Sequence, residues 1–191
     1  MLTELRAALV AFGLLTLLTG VAYPLLVTGV AHAAFPTRAA GSLVMIDGKV
    51  RGSTLLGQPF EGAGYFWGRL SATTPFPYNA GSSTASNLGP TNPALGDAAS
   101  ARIKALVALD PDNASPVPVD LVTASGSGLD PDVSPAAVEY QVARVARARK
   151  LPVARVQTLV DSLTIAPTLG ILGEPRVNVV ALNEALDELP R

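Results

Sequence analysis

The most pronounced pattern along the chain is a long apolar run near its N-terminus. No charged residue lies between Arg6 and Arg38, and residues 8–27 at the centre of this stretch are almost wholly apolar. A helix of roughly 20 such residues crosses the ~30 Å hydrocarbon layer of a bilayer. We therefore predict a transmembrane helix over residues 7–34, preceded by a short cytoplasmic head of residues 1–6. The membrane-anchor side chains are expected to be Leu9, Phe12, Leu15, Leu18, Tyr23 and Pro24.

A cleaved signal peptide is the alternative interpretation of the same run. Residues Ala31-His32-Ala33 form a cleavage site of the A-x-A type, and a basic residue precedes the apolar core. The apolar stretch is longer than the roughly 7–15 residues typical of a signal-peptide core, which favours a retained anchor. Pro24 is expected to kink this helix or to mark its approach to the membrane interface.

Residues 35–191 are predicted to fold as one extracytoplasmic domain of mixed α/β (α+β) type. Two apolar segments, residues 42–46 and 50–56, flank Asp47-Gly48, a dipeptide typical of a β-hairpin turn. Residues 65–67 and 117–122 are each predicted as a further strand. The stretches 68–96 and 123–133 are rich in Gly, Ser and other turn-forming residues, and we predict that they form loops.

Helical spacing of apolar residues dominates the second half of this domain. One helix is predicted from an Asp97 cap to Leu109, with Ile103 and Leu106 facing inward. Ser134 followed by proline predicts the N-cap of a second helix, a third is predicted near residue 151, and a last one over residues 178–189. The apolar stripes of these three helices are Val138, Val142 and Val145; then Val153, Val156, Val160 and Leu163; then Val179, Leu182 and Leu186.

Composition removes several classes of protein. The chain has no cysteine, which excludes disulfides, iron–sulfur clusters and thiolate zinc sites, and it has a single histidine, His32. One histidine is too few for a multi-histidine metal site and argues against a Ser-His-Asp triad. A net charge of −1 with only 15% charged residues argues against nucleic acid as a partner. We predict no catalytic residue and no metal site, and we expect His32 to be a bystander at the membrane boundary.

Three short motifs remain as candidates for chemistry, each with a plainer alternative. Asp130-Pro131-Asp132 pairs two carboxylates that could bind a cation, or it forms a turn before a helix. Residues 125–128 (Ser-Gly-Ser-Gly) are similar to a phosphate-binding nest, or they form a flexible loop. A basic cluster could meet lipid headgroups or an acidic partner, or it could be a solvated helix face; its members are Arg144, Arg147, Arg149, Lys150 and Arg155.

A series of motifs along nearly the whole chain resembles the C subunit (KdpC) family of the Kdp-type potassium-transporting ATPase. The most specific of them is residues 117–130, Val-Pro-Val-Asp-Leu-Val-Thr-Ala-Ser-Gly-Ser-Gly-Leu-Asp. The other matching segments are, in order, 23–26, 41–43, 50–53, 56–58, 64–66, 68–69, 71–72, 78–79, 86–90, 92–93, 134–137, 144–146, 148–149 and 173–179. The chain departs from the family pattern at Leu70, at Thr84-Ala85 and at Asp132, which leaves local contacts in residues 68–96 open.

The resemblance implies a non-catalytic subunit with one transmembrane helix in the bacterial inner membrane. Its partners would be a channel-like potassium-binding subunit, a P-type ATPase subunit, a very small membrane subunit and membrane lipid. The P-type ATPase subunit would carry out ATP hydrolysis. This chain would hold no cofactor firmly, and ATP would reach it only through that partner.

The resemblance also leaves two mechanisms open for the subunit. One is a catalytic chaperone that raises the ATP affinity of the ATPase subunit, for which Gln141 would touch the nucleotide; the alternative for Gln141 is an amide on the helix surface. The other is assembly and capping of the outer potassium entrance by polar, nearly uncharged loops. The residues expected to serve as partner-facing loop motifs are Arg69, Ser71, Tyr78, Asn79, Asn87, Asn92, Ser125, Ser127 and Asp130.

Overall fold

The structure is a computed structural model that describes residues 2–46 and 48–190 of the 191-residue chain. The chain divides into two compact units, one ending at Arg51 and the other beginning at Gly52. Helices and small antiparallel sheets make up the structure, which confirms the mixed α/β class. The head, span and domain bounds at residues 6 and 34 stay a prediction.

The first unit consists of one long apolar helix followed by a short helix and a hairpin. Its elements are α1 (Leu2–Leu17), a π-helical turn (Leu18–Ala22), α2 (Tyr23–Ala34), α3 (Pro36–Ala39), β1 (Leu43–Ile46) and the start of β2 (Lys49–Ser53). The helix from Leu2 to Ala34 has the length and composition needed to cross a membrane, and it is the one such helix in the described part of the chain. β1 and β2 form a two-stranded sheet, as predicted, although Asp47 of the predicted turn lies outside the described residues.

The hydrogen-bond pattern of the long helix changes from α-helical to π-helical just before Pro24. Pro24 has no backbone N–H, and its ring would crowd the carbonyl four residues earlier. The turn immediately before it is π-helical, and the Tyr23 N–H donates to the carbonyl of Leu18, five residues back. The wider turn gives the proline room, so the helix continues to Ala34.

The second unit contains helices and a three-stranded sheet. Its elements are α4 (Pro93–Leu109), α5 (Val119–Val122), β3 (Asp132–Val133), α6 (Pro135–Arg149), α7 (Val153–Leu163), β4 (Thr164–Ile165), β5 (Arg176–Asn178) and α8 (Val179–Asp187). The helices α6, α7 and α8 pack against the sheet, and α4 packs against α5. β5 lies between β3 and β4 and is antiparallel to both, with Val177 opposite Val133 and Thr164. Residue Val177 is therefore buried at the centre of the sheet, against the helices.

The predicted helix stripes largely coincide with the core. All three predicted valines of α6 are buried, as are Val179, Leu182 and Leu186 of α8. Ser134 caps α6 by accepting a hydrogen bond from the Ala137 N–H, as its sequence signature predicted. Val156 and Val160 of α7 are buried, but Val153 in the first turn is exposed, so the stripe begins one turn later than predicted.

Three predictions about α4 and the strands are wrong. α4 begins at Pro93 with Asn92 as its cap, because the Asn92 side chain accepts from the Ala94 N–H one turn before Asp97. Ile103 is 39% exposed, whereas Leu106 is 1% exposed, because the buried face of α4 is narrow. Residues 117–122 contain the short helix α5 instead of a strand.

The third predicted strand, residues 65–67, is also absent from the sheets. Phe66 and Trp67 are buried as expected of a core strand. Their backbone groups, however, form hydrogen bonds with helix side chains instead of a strand. Residues 68–92 form the predicted loop, with a single bridge from Leu70 to Ala124.

Candidate functional site

Six consecutive carbonyl groups, those of residues 63–68, each accept a hydrogen bond from a helix side chain. We call residues 63–68 the bracketed segment. From the first carbonyl to the last, the donors are Arg144, Arg149, Arg144, Asn183, Gln141 and Arg102, at distances of 2.5, 2.6, 3.0, 2.9, 3.1 and 2.7 Å. Side chains of α4, α6 and α8 thus replace the neighbouring strand that an extended segment normally requires.

Two amide side chains imitate the peptide groups of a neighbouring strand. Asn183 accepts from the Phe66 N–H at 2.9 Å and donates to the Phe66 carbonyl. Gln141 accepts from the Trp67 N–H at 2.8 Å and donates to the Trp67 carbonyl. Because an amide offers both a donor and an acceptor, each side chain satisfies one residue of the buried backbone on both sides.

Gln141 is fully buried, so its alternative as an amide on the helix surface is wrong. Its second amide proton is donated to the Ala137 carbonyl at 3.0 Å, and its oxygen also accepts from Arg144 at 2.6 Å. Both donor protons and both acceptor directions of the amide therefore have partners within the domain. Contact between Gln141 and a nucleotide stays a prediction.

Arg144 is the second residue whose environment the sequence did not reveal. One interpretation of the basic cluster places Arg144 on a solvated helix face, but its side chain is 2% exposed. Burial lowers the pKa of its guanidinium to about 10, which leaves it charged at neutral pH. Arg144 and Arg102 also approach the Trp67 ring, with guanidinium carbons 5.9 and 4.3 Å from its centroid.

The rest of the basic cluster has separate local roles. Arg149 pairs with Asp187 at 2.7 Å, and Arg147 pairs with the buried carboxylate of Asp110 at 2.5 Å. Lys150 ends α6 in the left-handed conformation. Arg144 and Arg149 therefore join α6 to the bracketed segment through hydrogen bonds. The interpretation of the whole cluster as one solvated face is wrong.

Most of the predicted partner-facing residues meet in one place. Residues 69–84 and 124–130 form what we call the two-loop unit. Ser71 is its hub, because its hydroxyl donates to the Gly128 carbonyl at 2.6 Å and accepts from the Tyr78 N–H at 2.9 Å. Ser127 receives two hydrogen bonds on its carbonyl, from the Thr84 N–H and the Ser83 hydroxyl, both at 3.0 Å.

An ion pair and a tyrosine hydroxyl also stabilise the two-loop unit around Arg69. Arg69 pairs with Asp130 at 3.3 Å and also donates to the Ala124 carbonyl. The Tyr78 hydroxyl donates to the Arg69 carbonyl at 2.6 Å, and burial raises the pKa of Tyr78 to about 12. Asn79 donates to the Thr74 carbonyl within the same loop.

The remaining loop motifs fall into three kinds. Ser125 is buried and accepts from the Gly128 N–H, whereas Gly126 and Ser127 between them are exposed. Asn92 caps α4 away from the two-loop unit. Asn87 is exposed and has a positive φ of 51°.

The carboxylates of Asp130 and Asp132 have hydrogen-bond partners within the domain, and Asp132 lies in β3, so the predicted loop over residues 123–133 ends in a strand. The Asp130 carboxylate accepts from the Asp132 N–H at 3.0 Å. Each acid also pairs with an arginine, Asp130 with Arg69 and Asp132 with Arg176 at 3.0 Å. Burial and the neighbouring Asp130 raise the pKa of Asp132, and Arg176 opposes this shift. Within residues 2–46 and 48–190 there is no cluster of three or more acidic or histidine side chains suited to a metal ion.

Comparison with known proteins covers almost the entire chain, including the apolar helix. The family model for KdpC, described as the c chain of the K+-transporting ATPase, matches residues 5–188. The potassium-transporting ATPase KdpC subunit of Ralstonia nicotianae is 63% identical over 185 residues, which cover 97% of this chain and 91% of the relative. The subunit of the same name from Polaromonas naphthalenivorans is 64% identical, with 97% and 94% covered.

A third relative gives the same result. The potassium-transporting ATPase KdpC subunit of Sorangium cellulosum is 63% identical over 187 residues, which cover 98% of both chains. The match extends through the long helix, the bracketed segment and the two-loop unit. On these matches the chain belongs to the KdpC family, the c chains of K+-transporting ATPases.

Proposed function

We propose that this chain is the membrane-anchored accessory subunit of a potassium-importing ATPase and that its body assists assembly and caps the outer potassium entrance. The observation that carries the proposal is the family match over residues 5–188, which includes the apolar helix as well as the folded domain. A subunit of this family acts in potassium transport as part of a complex. These matches give no support to the alternative that the chain is a secreted or anchored binding protein unrelated to transport.

The long helix supports a single-pass anchor in the inner membrane. Its apolar side chains, including those of Leu9, Phe12 and Leu15, are exposed around the helix instead of packing into a core. Exposure of so many large apolar groups is stable in lipid but not in water. In this proposal the N-terminal head lies in the cytoplasm and the body lies on the extracytoplasmic side of the membrane.

The chemistry of the two-loop unit supports a role near a potassium path. No charged residue lies between Arg69 and Asp97, so this long loop is polar and neutral. Neutral oxygen groups can border an ion path without holding the ion tightly. The hydrogen bonds through Ser71 and Ser127 keep the loop in one conformation, which a cap requires.

ATP hydrolysis is assigned by this proposal to the P-type ATPase partner. The proposed partners are that subunit, a channel-like potassium-binding subunit and a small membrane subunit. The second candidate function, raising the ATP affinity of the ATPase subunit through Gln141, has less support. The amide of Gln141 is fully used in hydrogen bonds to Trp67, Ala137 and Arg144, so it has no free group to offer a nucleotide.

Co-purification tests complex membership. The full chain, tagged at its C-terminus, is extracted in mild detergent from cells grown at low potassium. We expect a P-type ATPase and a channel-like subunit to co-purify, and N-terminal sequencing to find Met1 or Leu2. Recovery of the chain alone contradicts the assembly role, and a mature chain that begins after Ala33 contradicts the anchor.

Cysteine labelling tests the topology, because the chain contains no cysteine of its own. Ser115→Cys places a thiol at an exposed position of the body, and Thr3→Cys places one in the head. In spheroplasts a membrane-impermeant maleimide should label S115C at once and T3C only after permeabilisation. The reverse order would place the body in the cytoplasm and favour direct contact with ATP.

A further inference from the structure

A cleft lies between α6 and the segment that joins α4 to α5. Its volume is about 700 Å³, within the range of small-molecule sites. Three carboxylates and one guanidinium line the cleft, which leaves it a net charge of −2 at neutral pH. We call it the acidic cleft, and its charged groups belong to Asp110, Asp112, Glu139 and Arg147.

The negative charge of the acidic cleft is only partly neutralised within the domain. Arg147 pairs with the buried carboxylate of Asp110 at 2.5 Å. Asp112 and Glu139 are exposed, and in the part of the chain that the structure describes neither carboxylate lies within ion-pair distance of an arginine or a lysine. Two carboxylates are therefore available to a cation from solution.

Tyr140 supplies an independent observation that points to a ligand. The residue lines the acidic cleft and is 9% exposed, yet its hydroxyl oxygen is buried without a hydrogen-bond partner. Within residues 2–46 and 48–190, the only other buried side-chain atom in this state is Arg69 Nε. A buried polar group without a partner is costly, so native proteins keep few of them. A hydrogen-bond donor bound in the cleft would supply the missing partner.

The remaining wall of the acidic cleft is mostly apolar, and a second groove extends it along α6. This groove has a volume of about 520 Å³, shares Ala136 and Glu139 with the cleft and adds the carboxylate of Asp161. Acidic groups therefore follow one another along an elongated surface that also offers apolar contact. The apolar residues of the cleft are Ala114, Pro116, Pro118, Ala136 and Ala143.

The spacing of the acids favours an extended cation over a metal ion. A metal ion draws several oxygen ligands to within roughly 2–3 Å of one point. In the described part of the chain, no three acidic or histidine side chains lie close enough together to hold one. Separated carboxylates beside apolar walls instead match ammonium groups that are joined by alkyl chains.

We infer that the acidic cleft binds a linear polyamine such as spermidine, whose ammonium groups contact Asp112, Glu139 and the Tyr140 hydroxyl. The ammonium groups donate to the two carboxylates and to the hydroxyl oxygen, and charge-assisted hydrogen bonds of this kind are stronger than neutral ones. The alkyl chain lies on the alanine and proline side chains. This inference goes beyond the proposed function and does not depend on it, because the isolated chain contains the whole cleft.

Calorimetric titration of the full chain in non-ionic detergent provides the first test. Spermidine is compared with hexamminecobalt(III), a compact cation of the same charge that has no alkyl groups. We expect spermidine to bind about tenfold or more tightly than the cobalt complex, because only spermidine can use the apolar wall. Equal affinities would show attraction by charge alone, and they would overturn the inference, as would the absence of spermidine binding.

Tyr140→Phe separates binding of a ligand from a structural role. The variant removes a hydroxyl that has no partner in the domain, so it should melt no lower than the parent chain. Its affinity for spermidine should nevertheless fall about fivefold or more, because one ammonium group loses its acceptor. A Y140F chain that binds spermidine as tightly as the parent would contradict the inference.

Glu139→Gln tests the charge, with Glu174→Gln as its matched control. Glu174 is equally an exposed glutamate, but it lines neither the acidic cleft nor the groove that extends it. We expect E139Q to weaken spermidine binding about tenfold and E174Q to change it by less than about twofold. Equal weakening by the two substitutions would mean that spermidine responds only to the overall charge of the chain.

The assembled complex distinguishes a free polyamine from a cationic side chain of a partner protein. We expect spermidine to bind the chain in the complex within about threefold of its affinity for the isolated chain. Binding that disappears on assembly would show that a partner occupies the cleft, and a free polyamine would then be the wrong ligand. If no complex forms, the proposed function fails, while the titrations of the isolated chain still decide this inference.

Discussion

Gln141 of α6 forms two hydrogen bonds with the backbone of Trp67, accepting from its N–H at 2.8 Å and donating to its carbonyl at 3.1 Å. This is the exchange that two paired residues make in an antiparallel sheet, with a side-chain amide in place of one peptide group. Asn183 of α8 repeats it at Phe66. Two helices thereby hold the segment that leads into the two-loop unit, and four predictions follow from this arrangement and its surroundings.

Replacing Gln141 by alanine should destabilise the domain by about 2–4 kcal/mol, because the Trp67 N–H and carbonyl lose their partners inside the core. Gln157→Ala is the matched control, since Gln157 lies on α7 and its side-chain amide donates to Asp161 near the surface. Its expected cost is below about 0.5 kcal/mol. Urea unfolding of the full chain in detergent measures both. A Q141A chain of parental stability, in a complex with a raised KM for ATP, would instead favour the nucleotide role of Gln141.

Arg144→Lys should cost about 2–3 kcal/mol although it keeps the charge, because one ammonium group cannot span the Ala63 and Tyr65 carbonyls as the guanidinium does. The exposed Arg155→Lys should change stability by less than about 0.5 kcal/mol. Arg144 also donates to Gln141, so the R144K/Q141A double variant should lose less than the sum of the single losses. Additive losses would show that the two side chains act independently.

Gly128→Ala should disrupt the two-loop unit, whereas Gly126→Ala should be tolerated. At Gly128 φ is +69°, and a Cβ atom would lie 2.6 Å from Thr73 Cγ2 and 2.7 Å from the Thr84 carbonyl oxygen. At Gly126 a Cβ atom would meet nothing within 4 Å. We expect a loss of roughly 3 kcal/mol or more for G128A and under about 1 kcal/mol for G126A. Equal melting temperatures for the two variants would contradict the observed packing of residues 73 and 84 on Gly128.

Alkaline pH should lower the free energy of unfolding of the domain, because Tyr78 is buried in its neutral form. Burial raises the folded pKa of Tyr78 from its ordinary value of 10.0 to about 12. Between these values the unfolded chain has released the proton and the folded chain still holds it, so stability is full below pH 10 and falls as the pH rises toward 12. The loss between pH 9 and pH 11 should be about 1.4 kcal/mol from this group.

Tyr78→Phe provides the control for the alkaline effect. The variant lacks the hydroxyl that donates to the Arg69 carbonyl, so it should be less stable than the parent by about 1 kcal/mol at pH 8. Its stability should then fall less steeply between pH 9 and pH 11. The absorbance of the tyrosinate ion, compared between parent and variant, should locate the missing group near pH 12. Identical pH profiles of the two chains would contradict the burial of this hydroxyl.

Local patterns determined those parts of the structure that depend on neighbouring residues in the chain. The uncharged run up to Ala34 is sufficient for a long apolar helix, because helix formation and membrane compatibility need only consecutive apolar residues. The cap at Ser134 and the stripe of Val138, Val142 and Val145 are likewise local, since they follow from helix periodicity alone. The family motifs were readable for the same reason, as they stand in order along the chain.

Tertiary structure alone decided the role of the polar residues. Gln141 and Arg144 belong to residue types that are usually exposed, so their pattern on α6 predicted a surface. They are buried because residues 63–68 cross the core without a neighbouring strand, and a buried backbone must find hydrogen-bond partners wherever the fold supplies them. The aromatic side chains of residues 65–67 predict a strand. Whether such a segment pairs with a strand or with side chains depends on residues 74 and 117 positions away in sequence, which no local pattern encodes.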